Sequence, residues 1–377
     1  MNDSGLLYIA LMSYILYSLQ GIVYTSGSIL SQLLLFVCLL IGVYCWVRSL
    51  AVYSKTTLFV SFFIVLNVIG YILYDGLYES LAFGHLKGIL SCFLPFFIGF
   101  HYTSENKIDD NVFRYLFYIL LIISVLNFYR LEAMLFLDSN SENVVNNISY
   151  SFVRLIPLMF FLPNKNLLRM LSVLLVSLFI IAGTKRGAIV TGFIGIVMYL
   201  LYLIKEDKSG KKGLKNFIIF GFVIFLVIFL IHNVENNEFL LSRFNSGRLS
   251  GREEIYPMIF NYWYFTDNIF NLLFGFGFIA SMDITRSFLA HNDWLEVLSN
   301  FGILGVFVYG ALICSMYLSI KNIPYKRELY ASRTIILLWM ATTIFSTWYN
   351  SIDVFPPMFL MGHLVAFASY NHQVVKK

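Results

Sequence analysis

A histidine able to move a proton stands in Ala290-His291-Asn292-Asp293-Trp294-Leu295-Glu296, directly ahead of a long apolar stretch. An unperturbed imidazole titrates near neutral pH, which suits general acid–base work. Two cationic pieces precede it. One is Gly183-Thr184-Lys185-Arg186-Gly187; the other is Gly251-Arg252-Glu253-Glu254, with Arg248 just upstream. Arginine's planar fork matches phosphate oxygens bidentately, and lysine's point charge does not. A further cation, Arg154, interrupts an apolar segment four residues after Tyr150. Together these residues suit the holding of a phosphate-bearing ligand beside a histidine. The bland alternative is solvated loop charge and snorkelling side chains at lipid headgroups. No P-loop, dinucleotide fingerprint, nucleophile elbow or HExxH is present, so no nucleotide site or metal ligand set is visible. Any donor would then arrive already activated.

The elements that must position these residues are set by composition. The chain has 377 residues, 59% hydrophobic, 18% aromatic and 12% charged, and its mean hydropathy is +0.77. A soluble protein is about a quarter charged, so a soluble enzyme is excluded, as is a disordered chain. Long unbroken apolar runs also exclude a membrane β-barrel, whose strands would alternate. The class that fits is an all-α polytopic membrane protein, residues 1–377 forming one integral membrane domain. Cys38, Cys45, Cys92 and Cys314 all lie in apolar runs without ligand spacing, against a disulfide framework or a zinc site.

A span needs roughly 20 apolar residues. Twelve are expected, near 5–22, 29–47, 57–74, 88–103, 112–129, 148–163, 167–184, 186–204, 217–233, 297–319, 334–349 and 354–370. Lysines 205, 208, 211, 212 and 215 crowd one short loop, and Lys321, Lys326, Arg327 and Arg333 another. The positive-inside rule makes both loops cytoplasmic, and an even span count puts both termini there too. Nine cations then fall on the external side: Lys87, Arg130, Arg154, Lys185, Arg186, Arg243, Arg248, Arg252 and Arg286. Most are arginines, whereas the cytoplasmic clusters are mostly lysine.

The one large external loop is 234–296. Within it, Ile255, Met258, Ile259 and Tyr262 recur at helical spacing after the acidic start at Glu253-Glu254, predicting an amphipathic helix on the membrane face. Phe274-Gly275-Phe276-Gly277-Phe278 predicts a close-approach turn. Asp293 and Glu296 have capping-box spacing, which starts a helix near Asp293. His291 then sits just outside a helix N-terminus, where free N–H groups favour anions. Gly302 and Gly305 on that helix, like Gly187, Thr191 and Gly195 after the Lys-Arg turn, predict close approach of a neighbouring helix. The other histidines, 85, 101, 232, 363 and 372, stand alone and read as packing or interface residues. Asn147-Ile148-Ser149 matches a glycosylation sequon, a pattern frequent by chance.

Three pieces in order carry a resemblance: Gly183-Thr-Lys-Arg-Gly-Ala-Ile-Val190, Gly251-Arg-Glu-Glu-Ile-Tyr256, and His291-Asn-Asp-Trp-Leu295 followed by Phe301-Gly-Ile-Leu-Gly305. Over residues 167–320, including loop 234–296, the chain resembles the O-antigen ligase and O-antigen polymerase superfamily. Two positions depart from the pattern: Lys185 precedes Arg186 where a serine is common, and Tyr256 lies where a tryptophan is common. The resemblance implies a GT-C-like membrane fold and glycosyl transfer at the periplasmic face of the bacterial inner membrane. It implies a donor and an acceptor linked to undecaprenyl diphosphate, the membrane lipid as surroundings, and a chain-length regulator as a further partner. It implies no cofactor, no metal and no nucleic acid. Carried onto this chain, His291, Arg186 and Arg252 would be catalytic, and Lys185, Arg154, Arg248 and Asn292 would bind substrate. A polymerase is the preferred reading, a ligase acting on lipid A-core the alternative. A flippase is a third, disfavoured because the two halves show no internal repeat.

Overall fold

The computed structural model describes residues 3–23, 28–51, 54–137, 147–206, 252–286 and 288–375, with positions 221, 224, 228, 231 and 232. The expected span 217–233 therefore lies mostly outside the described residues, and so do Arg243, Arg248, Gly251 and Lys208. Among the described residues every regular element is helical. In chain order these are α1 (Asp3–Val23), α2 (Ile29–Ser49), α3 (Lys55–Ile72), α4 (Glu79–Ser104), α5 (Asp110–Leu137), α6 (Ser149–Leu155), α7 (Asn166–Ala182) and α8 (Arg186–Glu206). There follow α9 (Arg252–Tyr264), α10 (Ile269–Phe274), α11 (Ala280–Thr285), α12 (Asp293–Ile320), α13 (Lys326–Phe345) and α14 (Phe355–Val375). The α6 helix runs on as a 3-10 segment, Ile156–Phe161, and a second 3-10 turn, Ile352–Val354, leads into α14.

Seven of these helical stretches are long and apolar enough to cross a membrane, and three shorter apolar ones accompany them, Ser4–Gln20, Ser149–Phe161 and Asn166–Ala182. The chain is a multi-pass membrane protein. The α13 helix occupies the expected eleventh span, but it begins with Lys326, Arg327 and Glu328 and is not among the seven. Outward-facing Phe36, Phe62, Ile122 and Phe307 are exposed, a surface that suits lipid tails rather than water.

The centre of the bundle is α4 packed along α14, where Phe93, Phe96, Phe97 and Phe100 meet Met358, Phe359 and Met361 with none more than 1% exposed. Two glycines permit this closeness. A methyl at Gly99 would strike the Phe359 carbonyl, and one at Gly362 would strike the Phe96 carbonyl. Backbone therefore lies against backbone.

Charges segregate to the two ends. At one end Arg327 forks onto Asp110 at 2.5 and 3.0 Å, tying the start of α13 to the start of α5. Arg169 there pairs with Glu206 and donates to the Leu162 and Pro163 carbonyls, and Lys205 lies over the Tyr330 ring. These all belong to the set expected to be cytoplasmic. The starts of α8 and α12 lie at the opposite end.

Candidate active site

The site is assembled at that opposite end by three helix starts and the end of α13. The chain turns into α8 at Thr184, whose φ is +56°, and into α12 at His291, whose φ is +49°. Non-glycine residues rarely occupy this region, and such strain gathers at functional sites. Each strained residue delivers the side chains beside it: Lys185 and Arg186 in one case, His291 itself in the other.

The His291 turn is held from below by two buried carboxylates. Asp293 accepts hydrogen bonds from the Tyr309 hydroxyl at 2.6 Å and from the backbone N–H of Trp348 and Tyr349 at 3.0 and 3.3 Å. Tyr309 in turn accepts from Trp339 Nε1 at 2.7 Å. Glu296 accepts from Ser281 Oγ at 2.7 Å and from the N–H of Ala290 at 2.5 Å. Both carboxylates are fully buried. The α12 helix begins at Asp293 as expected, but not by the expected capping box. Asn292 is the cap, its Oδ1 accepting from the N–H of Trp294 and Leu295 at 3.0 and 3.1 Å. The acids are occupied in the core, which the capping spacing concealed. The signal that could have revealed them is a pair of carboxylates at the head of an apolar span, where charge is costly and usually purposeful.

This also corrects the anion site expected at the α12 N-terminus. Asn292 already satisfies two of its first N–H groups, and the buried Asp293 and Glu296 carboxyls occupy the same helix start. Any phosphate at this end must be held by side chains.

Tyrosines link the cations to the histidine. The Tyr256 hydroxyl on α9 lies 3.5 Å from the His291 carbonyl and 3.4 Å from that of Ile344 on α13. Both distances are at the limit of hydrogen bonding, so they report proximity more than strength. Asn292 meets the same hydroxyl through its side chain. Gly187, next to Arg186, lies against the Tyr150 hydroxyl and Phe345, leaving no room for a Cβ. Tyr150 also feels the charge of Arg252. Sequence reasoning named Tyr150 only as a neighbour of Arg154 and Tyr256 only as a departure from the family pattern; neither was assigned to the site, where folding brings them between the cations.

His291 is solvent-exposed but surrounded by densely packed atoms. Desolvation, and then the charges of Arg252 and Lys185, hold its imidazole below the ordinary histidine range. Because the ring retains access to solvent, the two cations are the sturdier part of this effect. They also show that Lys185, Arg252 and His291 are neighbours.

Arg154 sits one tyrosine away. Its guanidinium lies over the Tyr150 ring, 5.8 Å from the centroid, and pairs with Asp353 at 3.1 Å. It is buried while Asp353 is exposed. Its charge is thus answered by protein, unlike a cation waiting in open loop. Arg248 lies outside the described residues. Two of the other histidines pack as expected: His85 between the Tyr349 hydroxyl at 2.9 Å and Asn350 Nδ2 at 3.0 Å, and His363 against Thr103 Oγ1 at 2.8 Å.

A multi-pass helical membrane protein with a cationic, histidine-bearing cluster at one end of its bundle is what fold and site define. Residues 171–310 match the family described as O-Antigen ligase. The matched stretch contains Lys185, Arg186, Arg252 and His291, and over it the chain is similar to the O-antigen ligase and polymerase superfamily. No curated protein matches the chain.

Proposed function

We propose that this protein is a surface-polysaccharide polymerase, joining undecaprenyl-diphosphate-linked repeat units at the external face of the bacterial inner membrane. The observation that supports this best is the convergence of Lys185, Arg252 and His291, with Arg186 at the same helix start. The acceptor hydroxyl gives its proton to neutral His291 while its oxygen forms a bond to the donor's anomeric carbon. The bond from that carbon to the diphosphate oxygen breaks, and undecaprenyl diphosphate leaves with the electron pair. Arg186 and Arg252 hold the charge that develops on it, and preorganised donors of this kind stabilise a leaving anion without rearranging. Lys185 adds a point charge and keeps His291 in the neutral form a base requires. Asn292 orients the turn through its cap.

Purified protein in liposomes, given lipid-linked repeat units alone, is expected to produce a ladder of longer lipid-linked glycans, also in the presence of chelator. A product that appears only when lipid A-core is supplied would make the protein a ligase. Movement of substrate across the bilayer with no new glycosidic bond would overturn glycosyl transfer altogether.

A further inference from the structure

A cavity of about 310 Å³ opens between the end of α3 and the glycine turn before α11. That volume is within the range of small-molecule sites, about 300–1,000 Å³. Tyr74, Asp75, Phe276, Phe278, Asp283 and Asn300 line it. Its walls depend on glycine. Gly302 breaks α12 with φ +62°, and Gly275 takes φ +77°. Each lets the backbone of the Leu273–Gly275 turn press on α12, and a Cβ at either would collide with the facing chain. The N–H groups of Phe276 and Gly277 then donate to the Ser299 and Asn300 carbonyls at 2.8 and 3.2 Å. The close-approach glycine expected at Gly302 thus receives a loop, not another membrane helix. Gly305 meets its own helix, at Phe301 and Val297. Beyond the break, Ile303–Ile320 measures roughly 27 Å at 1.5 Å per residue, close to a bilayer's hydrocarbon. The cavity lies at that boundary.

Its chemistry is opposite to that of the cationic cluster. Asp75 and Asp283 are exposed, and both act electrostatically on the Tyr74 phenol. Asn300 is 1% exposed. Its Oδ1 accepts from the Ala280 N–H at 3.0 Å, while its Nδ2 has no hydrogen-bond partner. A buried amide donor without an acceptor is costly and asks for a ligand oxygen. Tyr74 and Phe276 are each half-buried, leaving aromatic surface to the cavity. Carboxylate acceptors, one amide donor and aromatic faces match a sugar ring, which offers hydroxyl donors, oxygen acceptors and an apolar C–H face. A diphosphate would be repelled here.

From this juxtaposition we infer that the cavity between α3 and the α12 break is a saccharide subsite, in which Asp75 and Asp283 accept from sugar hydroxyls and Asn300 Nδ2 donates to a sugar oxygen. Asn300 lies about 10 Å along the helix from Asp293, so the subsite would hold a sugar some residues away from the bond being made. Only the identity of the glycan as substrate rests on the polymerase reading.

The test uses full-length protein in detergent and free oligosaccharides released by mild acid from the surface polysaccharide of the cell that makes it. Affinity is measured by calorimetry for wild type, Asp75→Asn/Asp283→Asn and Asn300→Asp. The last change keeps the acceptor for Ala280 and removes the donor. Both variants are expected to bind oligosaccharide at least tenfold more weakly while binding undecaprenyl diphosphate as wild type does, which also shows that they fold. Unchanged affinity in the variants, or no binding by wild type, overturns the subsite. So does oligosaccharide binding that a calcium chelator abolishes, since the carboxylates would then be holding a cation. If the subsite behaves as expected while wild type forms no glycosidic bond, it is the polymerase reading that fails. Normal chain extension with unaltered affinity in the variants sinks the subsite alone.

Discussion

His291 must be neutral to accept a proton, and its neighbours make it so. Desolvation, Arg252 and Lys185 all lower its pKa, so the base form persists below the ordinary histidine range and is lost as pH falls through the lowered value. Removing one cation raises that value. In Lys185→Gln the acidic limb of kcat/KM against pH should therefore move to higher pH, whatever happens to the maximal rate; a limb that stays put would mean that His291 is not the base. Arg186→Lys and Arg252→Lys keep the charge but lose the fork. Each should abolish most chain extension at normal protein level. His291→Ala should lose about 10²–10⁴-fold, the usual contribution of general acid–base catalysis, while donor binding survives. Lys87→Ala and Arg286→Ala remove cations that have none of these roles, Lys87 being bound to Gln32 at 3.1 Å, and should be mild. Extension at the wild-type rate in His291→Ala would dismiss the proposed chemistry.

At the scale of elements, two devices keep the site in register. One is the Asp293 hub, which clamps the head of α12 to the Trp348–Tyr349 turn that follows α13. Asp293→Ala strands two buried N–H groups and a hydroxyl, at about 1–3 kcal/mol for each group left unpaired. It should lower the detergent melting temperature and abolish activity together, although it touches no substrate. The other is the glycine contact between α4 and α14. Gly362→Ala drives a methyl into the Phe96 carbonyl, and overpacking of this kind costs about 1–3 kcal/mol. Here the loss should appear in thermal stability, with the pH profile of the remaining activity unchanged. A shifted profile in Gly362→Ala would show that the α4–α14 contact reaches the site directly.

For the whole molecule, the separation of charge to opposite ends carries the topology. Arg327, Asp110, Arg169, Glu206 and Lys205 share one end, and Lys185, Arg186, Arg252 and His291 the other. The lysine-rich loop near Lys208 is assigned to the cytoplasm by charge bias. A reporter fused near Lys208 should read cytoplasmic and one near Asp267 external. Both on one side would remove the external placement of the site, and the lipid-linked donor with it.

Sequence alone determined the class of the molecule, because transfer of some twenty apolar residues into a bilayer depends on composition and not on neighbours. It also determined where α8 and α12 begin, since local charge and turn chemistry mark helix starts, and it singled out Lys185, Arg186, Arg252 and His291 as residue types fit for anion and proton chemistry. What it misread were residues whose meaning depends on partners distant in the chain. Asp293 and Glu296 have capping spacing in one dimension, but in three the Trp348 and Tyr349 amides and Ser281 claim them, and Asn292 takes the cap. Gly302 looks like a helix-packing glycine and is instead a backbone break that admits a loop. Tyr150 and Tyr256 are unremarkable until packing sets them between cations more than thirty residues apart. A side chain's chemistry is local and can be read from sequence; its surroundings come from contacts across hundreds of residues, and only the tertiary structure decides those.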